Sequence, residues 1–413
     1  MSIKIKIVTS RSKHDVKMSE QEFILQNINA DPLSLRLKFA GKDVGFNLEN
    51  AITQIEARKK CSKKLPLFLS FEDFRFPSVV AAEQASDQRV ASFHAKLCKD
   101  SESLLDITAG LGIDAMSIKL ENPDISITAI ERDLNKSTTL ENNAEAIGIK
   151  SGFKVICADS ISFIRQTDSH FDILFADPAR RDNSNGRLYA LKDCSPNLIE
   201  LMADIFRVSK RFIFKVSPML DISAVINEIP DATTVYAVSV KGELKELLIT
   251  GEKGGKLEKM SSIMIYDDDS LEEFEFSPEL RNIPAPIVSS PDTIKPGMFL
   301  YEPDASIMKF GCWGVLTSRF PGLLKLAPNT SLFISEWEYL CFPGRVTRIE
   351  TVVSKKELKS LKGKQLNVTC RNYPLTTNEL KKKIATKDGG DKFLYGVGCG
   401  VQNRPILLLS VRI

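Results

Sequence analysis

Residues 104–114 read LLDITAGLGID, an apolar run that leads into two glycines separated by one residue. The run up to Asp106 has the length and composition of a buried strand, and the following residues, DAMSIKLEN (114–122), have helical character. Glycines at a strand-to-helix turn let the backbone bend sharply and approach a ligand closely, while the helix N-terminus offers N–H groups. The stretch therefore predicts a ligand-binding turn in an α/β domain.

Short β-rich runs and helical runs alternate after this turn. The helical stretches include LNKSTTLENNAEAIG and SPNLIELMADIFRVSK, so the repeat predicts a doubly wound parallel sheet with covered faces. Two further runs, TTVYAVSV (233–240) and LKELLITG (244–251), predict an antiparallel hairpin that closes the sheet. The predicted parallel strands are LLDIT (104–108), ISITAIE (125–131), FKVICAD (153–159), FDILFAD (171–177) and RFIFKVS (211–217).

The chain of 413 residues is too long for one core, because single cores stop growing at about 250–300 residues. The acidic stretch 266–279 and the proline-containing stretch after it have the pattern of neither a helix nor a strand, and we predict a linker there. The predicted organisation is an N-terminal helical domain (1–78), the α/β domain (79–265), the linker (266–295), a small segment (296–340) and a basic α+β module (341–413).

Composition excludes several classes of protein. Apolar residues make up 43% and charged residues 26%, and no run approaches the roughly 20 apolar residues of a membrane-spanning helix. The N-terminus has no apolar signal region, so we expect a cytoplasmic protein without a membrane partner. The eight cysteines form no CxxC pair and only three histidines are present, which argues against a disulfide framework and against a metal site. We expect reduced, buried thiols, and His94 as a surface or packing residue.

The glycine turn alone does not decide which ligand binds. Gly110-Leu-Gly112-Ile-Asp114-Ala115 also satisfies the G-x-G-x-x-A pattern of dinucleotide-binding domains, and Glu131 follows about 20 residues later, as in nicotinamide-binding proteins.

Carboxylates at the ends of three predicted strands favour a different ligand. Asp106 can face the ammonium group of an amino-acid ligand and would repel a pyrophosphate. Glu131 can accept hydrogen bonds from ribose hydroxyls, and Asp159 from an adenine amine. Together they fit S-adenosylmethionine (SAM), although acids at such positions also cap helices. The predicted cofactor-binding residues are Asp106, Ala109, Gly110, Gly112, Asp114, Glu131, Arg132, Asp159 and Ser160.

The fourth strand ends in ADPARRD (176–182). The order of D-x-x-x-G-x-G, a strand ending in Glu, one ending in Asp and one ending in Asp-Pro resembles class I SAM-dependent methyltransferases. LLDITAGLGID, TLENNAEAIGI and ADPARRD resemble the branch that includes trimethylguanosine synthases and RNA base methyltransferases. The whole chain resembles bacterial methyltransferases with a ferredoxin-like segment and a C-terminal THUMP-like domain. The resemblance implies an α/β, Rossmann-like class I methyltransferase domain, with a helical N-terminal region and small C-terminal α+β domains.

The same resemblance implies roles for residues of the fourth-strand motif. Relatives that methylate exocyclic amines have Asn or Asp followed by Pro-Pro and an aromatic residue, so Asp177 and Pro178 are the predicted catalytic residues. Ala179 and Arg180 replace the second proline and the aromatic ring. Arg180 and Arg181 are predicted substrate contacts, with a solvated arginine pair as the alternative. Uracil-C5 methyltransferases use a cysteine nucleophile after the fifth strand, where this chain has Ser217-Pro218. A serine cannot supply the thiolate that attacks the pyrimidine ring, so the sequence disfavours covalent C5 chemistry.

The substrate prediction rests on the C-terminal block. Residues 341–413 contain 15 Lys+Arg against 5 Asp+Glu, so this region is a candidate RNA-binding surface, with Arg371, Lys381 and Lys382 as predicted contacts. A solvated charged face is the structural alternative. Resemblance to THUMP-type modules favours tRNA or rRNA as the partner. Two other functions stay open: methylation of a protein or small molecule, and RNA binding by a vestigial, non-enzymatic SAM fold.

Overall fold

The computed structural model describes residues 18–180 and 191–413. Its helices are α1 (Glu20–Gln26), α2 (Pro32–Phe39), α3 (Leu48–Cys61), α4 (Pro66–Leu69), α5 (Val79–Gln84), α6 (Gln88–Leu97), α7 (Ile113–Glu121), α8 (Leu134–Ala146), α9 (Ser160–Gln166), α10 (Leu198–Val208), α11 (Ile222–Glu228), α12 (Ala305–Phe310), α13 (Trp313–Arg319), α14 (Lys355–Ser360) and α15 (Thr377–Ile384). Its strands are β1 (Ser103–Asp106), β2 (Ser126–Glu131), β3 (Phe153–Cys157), β4 (Phe171–Ala176), β5 (Ala179–Arg180), β6 (Cys194–Ser195), β7 (Ser209–Val216), β8 (Ala232–Val240), β9 (Glu243–Glu252), β10 (Lys259–Ile265), β11 (Leu271–Phe276), β12 (Phe299–Pro303), β13 (Leu324–Lys325), β14 (Phe333–Ser335), β15 (Gly344–Val352), β16 (Asn367–Arg371), β17 (Lys392–Cys399) and β18 (Arg404–Arg412).

The chain divides into two compact units. The first comprises the residues up to Glu102 and Thr108–Ser160, and the second comprises Ser103–Ile107 and Ile161–Ile413. The predicted α/β domain (79–265) therefore contributes to both units.

In the first unit, helices precede a pair of parallel strands, β2 and β3. The predicted helical character of the N-terminal region is confirmed for residues 18–78, and α1, α2 and α3 enclose a small core of their own. A second core joins Phe68 and Phe74, from the helical region, to Leu111, Met116 and Leu140 near the glycine turn. The predicted boundary at residue 78 therefore lies inside one continuous core.

In the second unit, a sheet has the strand order β11-β10-β8-β9-β7-β4-β1. β1, β4 and β7 run parallel, and β8 and β9 form the predicted antiparallel hairpin, with β9 beside β7. These features confirm the predicted α/β plan.

Two strands extend this sheet beyond the sequence prediction. β10 pairs parallel with β8, and its two serines, Ser261 and Ser262, are fully buried. β11 corrects part of the predicted linker, because residues 271–276 pair antiparallel with β10. In β11, Phe274 and Phe276 are buried while the glutamates between and beside them are exposed, the pattern of a strand with one face on the core.

The C-terminal part of the second unit forms another sheet, in the order β13-β14-β12-β15-β18-β17-β16. Alternate residues of its strands enter different cores: Tyr395 and Leu408 belong to one, Leu394 and Leu407 to the other. Both faces of the sheet are therefore covered. β12, from the predicted segment 296–340, pairs with β15 from the basic module, so these two regions share one sheet.

All cysteines are free thiols, but they are not uniformly buried as predicted. Burial raises the pKa of the Cys312 thiol to about 12, which keeps that sulfur protonated. Cys61, Cys98, Cys312 and Cys399 are buried, Cys194 and Cys370 are half-buried, and Cys157 and Cys341 are exposed. No helix in residues 18–180 and 191–413 is long and apolar enough to cross a membrane. Within the same ranges, no three acidic, cysteine or histidine side chains form a group that could hold a metal ion.

Candidate functional site

The glycine turn leads into α7 and is hydrogen-bonded to the end of β2. Gly110 and Gly112 have positive φ angles of 56° and 80°, a conformation in which a side chain is strained. The Gly112 N–H donates to Ala109 O (2.7 Å), which tightens the turn, and the Ala109 N–H donates to Ile130 O (3.0 Å). The turn is therefore fixed against the strand that ends in Glu131.

Glu131 orders its surroundings through both carboxylate oxygens. Oε2 accepts the Gly110 N–H at 3.0 Å, and Oε1 accepts the Asp133 N–H at 2.9 Å. The backbone oxygen of Glu131 accepts the Ala158 N–H at 3.2 Å, directly before Asp159. The structure thus brings together the glycine turn, the end of β2 and the end of β3. Arg132 and Asp159 are exposed there, and Ser160 is half-buried.

Asp114 lies in the first turn of α7 and accepts hydrogen bonds from the N-terminal helical region. His94 Nδ1 lies 2.9 Å from Asp114 Oδ1, and Ser86 Oγ donates to Oδ2 at 2.5 Å. His94 is fully buried, so the surface alternative for this histidine is wrong and the packing alternative is correct. These partners were not predictable because they lie 20 and 28 residues away along the chain.

The second unit contains the other acidic residues of the predicted site. Asp106 ends β1 and is 2% exposed, and the β1–β4 register places it beside Phe175. The Ile107 N–H donates to Phe175 O at 3.1 Å. Asp177 follows β4 directly, so the carboxyl ends of β1 and β4, with their acids, lie at the same edge of the sheet.

The Asp-Pro turn continues into a short ribbon. After Pro178, the residues of β5 pair antiparallel with β6, where Arg180 lies opposite Cys194 in the register. Arg181, a predicted substrate contact, lies outside the described residues.

Two charged residues that were not among the predicted site residues, Lys215 and Glu246, form a group with Asp177. Lys215 on β7 lies 2.7 Å from the Asp177 carboxylate (Nζ to Oδ2) and 3.8 Å from Glu246 on β9. Lys215 and Glu246 have side chains only 13% and 5% exposed, whereas Asp177 is 40% exposed. A lysine inside the apolar run RFIFKV was the available signal, because strand cores rarely contain a charge without a specific partner.

The predicted RNA contacts lie away from these strand ends in sequence, in the C-terminal sheet region. Arg371 ends β16 and approaches Glu302 at 3.9 Å. Lys381 pairs with Asp388 at 2.6 Å, and Lys382 is exposed on α15. The Gly363 N–H donates to Ile384 O at 2.9 Å, so the loop after α14 runs beside the end of α15. We call the exposed lysines of these two segments the lysine cluster: Lys362, Lys364, Lys382, Lys383 and Lys387.

Comparison with known proteins identifies the C-terminal regions and the overall architecture. Residues 299–343 match a family model described as a ferredoxin-like domain, and residues 344–412 match one described as THUMP domain-like. No curated protein matches the chain in sequence. The crystal structure of a candidate methyltransferase from Porphyromonas gingivalis W83 is similar to this chain with a TM-score of 0.80 and 26% sequence identity, over 96% of this chain and 98% of that one.

Other solved structures are much less similar. TrmK from M. capricolum, solved with S-adenosyl-homocysteine, has a TM-score of 0.32 and 12% identity, over 41% of this chain and 70% of that one. A candidate RNA methyltransferase from Pyrococcus horikoshii also has a TM-score of 0.32, with 15% identity over 47% of this chain and 99% of that one. Taken with the strand-end acids, the full-length similarity to the P. gingivalis protein and the two domain matches show that this chain has a class I methyltransferase fold extended by a ferredoxin-like and a THUMP-like domain.

Proposed function

We propose that the protein is a SAM-dependent methyltransferase that transfers a methyl group to a base nitrogen of a structured RNA, tRNA or rRNA. The observation on which this rests is the hydrogen bond from Gly110 N–H to the Glu131 carboxylate. It joins the ligand-binding turn to an acidic residue in a chain whose fold is that of methyltransferases.

The residues of the turn fit the cofactor. A Cβ built on Gly110 would have Thr108 O, at 3.9 Å, as its nearest described neighbour, so the backbone can be approached closely at this position. A Cβ on Gly112 would instead lie 2.0 Å from Leu140, so this glycine serves internal packing. Glu131 would hold the ribose hydroxyls, Asp159 the adenine amine and Asp106 the methionine ammonium. These acids favour a cationic ligand over a pyrophosphate, because like charges repel.

Asp177 would act on the acceptor amine as a hydrogen-bond acceptor and a negative charge. SAM would supply an electrophilic methyl group whose sulfur leaves as a neutral thioether. On transfer, the lone pair of an amine nitrogen would form the new N–C bond as the C–S bond breaks, and the nitrogen would then lose a proton to solvent. The Asp177 carboxylate can accept an N–H hydrogen bond, orient that lone pair and stabilise the positive charge that develops on nitrogen.

The C-terminal region supports RNA as the substrate. Its residues 344–412 match the THUMP-like model, and the lysine cluster presents cations from two adjoining segments. Lysines contact phosphates without reading sequence, so such a surface can position an RNA while the base enters a separate site.

Calorimetry and methyl transfer with matched variants test this proposal. We expect Asp106→Asn and Gly110→Val to abolish SAM binding, because one loses the ammonium partner and the other fills the space beside the turn. Asp177→Ala should bind SAM within about threefold of wild type and lose transfer by about 100-fold or more. Transfer is measured as tritium from methyl-labelled SAM in RNA extracted from cells that lack the gene.

Each result distinguishes the alternatives. Equal SAM binding by all three variants would contradict the site. Tritium in a protein or small-molecule fraction instead of RNA would favour the first alternative function. Retention of RNA without SAM binding by the wild type would favour the non-enzymatic one.

A further inference from the structure

Lys215 is a charged residue placed where strand residues are normally apolar. Its neighbours Phe214 and Val216 are buried, and its own side chain is 13% exposed. Burying an ammonium group is unfavourable unless it is paired and hydrogen-bonded. The structure provides that pairing on both sides, through Asp177 after β4 and Glu246 on β9.

Strand register explains how the three groups meet. In the β4–β7 ladder, Ala176 lies opposite Phe214, so Lys215 is the next residue of β7 and Asp177 is the first residue after β4. In the β7–β9 ladder, Lys215 lies opposite Leu248, two residues from Glu246. The contact therefore depends on the backbone pairing that places Lys215, on β7, beside the end of β4.

We propose that Lys215, anchored by Glu246, is a positioning residue that fixes the Asp177 carboxylate for methyl transfer. This inference rests on the proposed function, in which Asp177 orients the acceptor amine. The Lys215 ammonium lies 2.7 Å from the carboxylate, and this ion pair restricts the rotation of the carboxylate. The ion pair leaves Asp177 a hydrogen-bond acceptor, so it can still orient the acceptor amine and stabilise the positive charge that forms on its nitrogen.

The same chain contains a matched control pair. Lys210, on the same strand, lies 2.6 Å from Asp172 on β4, five residues before the Lys215–Asp177 pair in both strands. The Lys210 side chain is 81% exposed. The two pairs thus join the same strands with the same chemistry, but only one of them includes Asp177.

The experiment compares Lys215→Met with Lys210→Met in the full-length protein. Methyl-labelled SAM is the donor, and the acceptors are RNA, protein and small-molecule fractions extracted from cells that lack the gene. We expect Lys215→Met to lower kcat by about 100-fold, since misplacement of a reacting group by about 1 Å has effects of that size. KM for SAM should stay within about threefold, because Asp177 is not among the proposed cofactor contacts. Lys210→Met should retain wild-type kcat.

Two further variants separate positioning from loss of folding. Lys215→Arg keeps the cation and should recover much of kcat. Lys215→Met combined with Glu246→Gln removes the buried carboxylate that the single variant leaves behind. If the single variant fails only because of that uncompensated charge, the double variant regains activity and the inference is overturned. If Lys215 acts on Asp177, the double variant stays inactive while it still binds SAM.

The outcomes also separate this inference from the proposed function. Wild-type kcat in Lys215→Met would overturn the role of Lys215 and leave RNA methylation intact. Tritium in the protein or small-molecule fraction would overturn the RNA substrate, and the Lys215 comparison is then read on that fraction. Transfer to none of the fractions would overturn both.

Discussion

The two glycines of the turn have different physical reasons to be glycine. Both adopt positive φ, at 56° for Gly110 and 80° for Gly112. A Cβ on Gly112 would meet the fully buried Leu140 side chain at 2.0 Å, whereas a Cβ on Gly110 would have 3.9 Å of clearance. A side chain at Gly110 would therefore have open space beside it, whereas one at Gly112 would collide with the protein core.

The stability of the protein should therefore respond differently to alanine at these two positions. Gly112→Ala should lower the free energy of unfolding by about 2–4 kcal/mol, through overpacking added to the strain of the left-handed conformation. Gly110→Ala, its matched control, has only the conformational strain and should cost about 1 kcal/mol. Urea unfolding in the absence of SAM measures both. Equal destabilisation by the two substitutions would contradict the packing role of Gly112.

At the scale of elements, α7 is tied to the N-terminal helical region through Asp114. Its carboxylate accepts from Ser86, just before α6, and from His94 within α6. The segment 83–85 is held in turn by Lys64, whose ammonium donates to Glu83 O and Ala85 O. The helix that follows the glycine turn is thus held by the Asp114 hydrogen bonds as well as by the apolar core.

Asp114→Ala should loosen this support. It removes the acceptor of two hydrogen bonds, one of them to a fully buried histidine, and we expect a loss of about 1–3 kcal/mol in unfolding free energy. Glu121→Ala, at the exposed end of the same helix, should change it by no more than about 0.5 kcal/mol. Denaturant midpoints of the two variants provide the comparison, and identical midpoints would show that Asp114 does not support the turn.

Elements were predictable where local pattern decides them. β1 before the glycine turn, β2 after α7 and the β8–β9 hairpin follow from apolar runs and turn residues. β10 was missed because two buried serines interrupt its apolar run, and β11 because its glutamates resemble a solvated linker. Partners that depend on register, such as Lys215 for Asp177, need the tertiary structure, since nothing local specifies which strands become neighbours.

At the scale of the whole molecule, the expected domain divisions are less independent than the sequence implies. The helical N-terminal region shares a core with the glycine turn, and the ferredoxin-like and THUMP-like regions share a sheet through β12 and β15. Sequence shows such regions as separate because composition changes along the chain, whereas cores and sheets depend on long-range contacts.

The proposed role of the lysine cluster predicts that RNA binding is sensitive to salt. Replacing Lys382 and Lys383 by glutamine should weaken binding of bulk tRNA and reduce the slope of log affinity against log salt by about 1 for each lysine–phosphate pair that the substitutions remove. Lys253 and Lys256, two exposed lysines after β9, provide the control pair, and their replacement should leave the slope unchanged. Filter binding across a salt series measures the slopes. Equal slopes for both double variants would mean that the cluster is only a solvated face.

The uneven exposure of the cysteines has a practical consequence. Cys157 and Cys341 are the exposed thiols, and they fall in different compact units. Maleimide dyes or nitroxides attached to these native sulfurs would report one intramolecular separation by energy transfer or electron spin resonance. Changes in that separation on ligand addition could then be followed without introducing new attachment points.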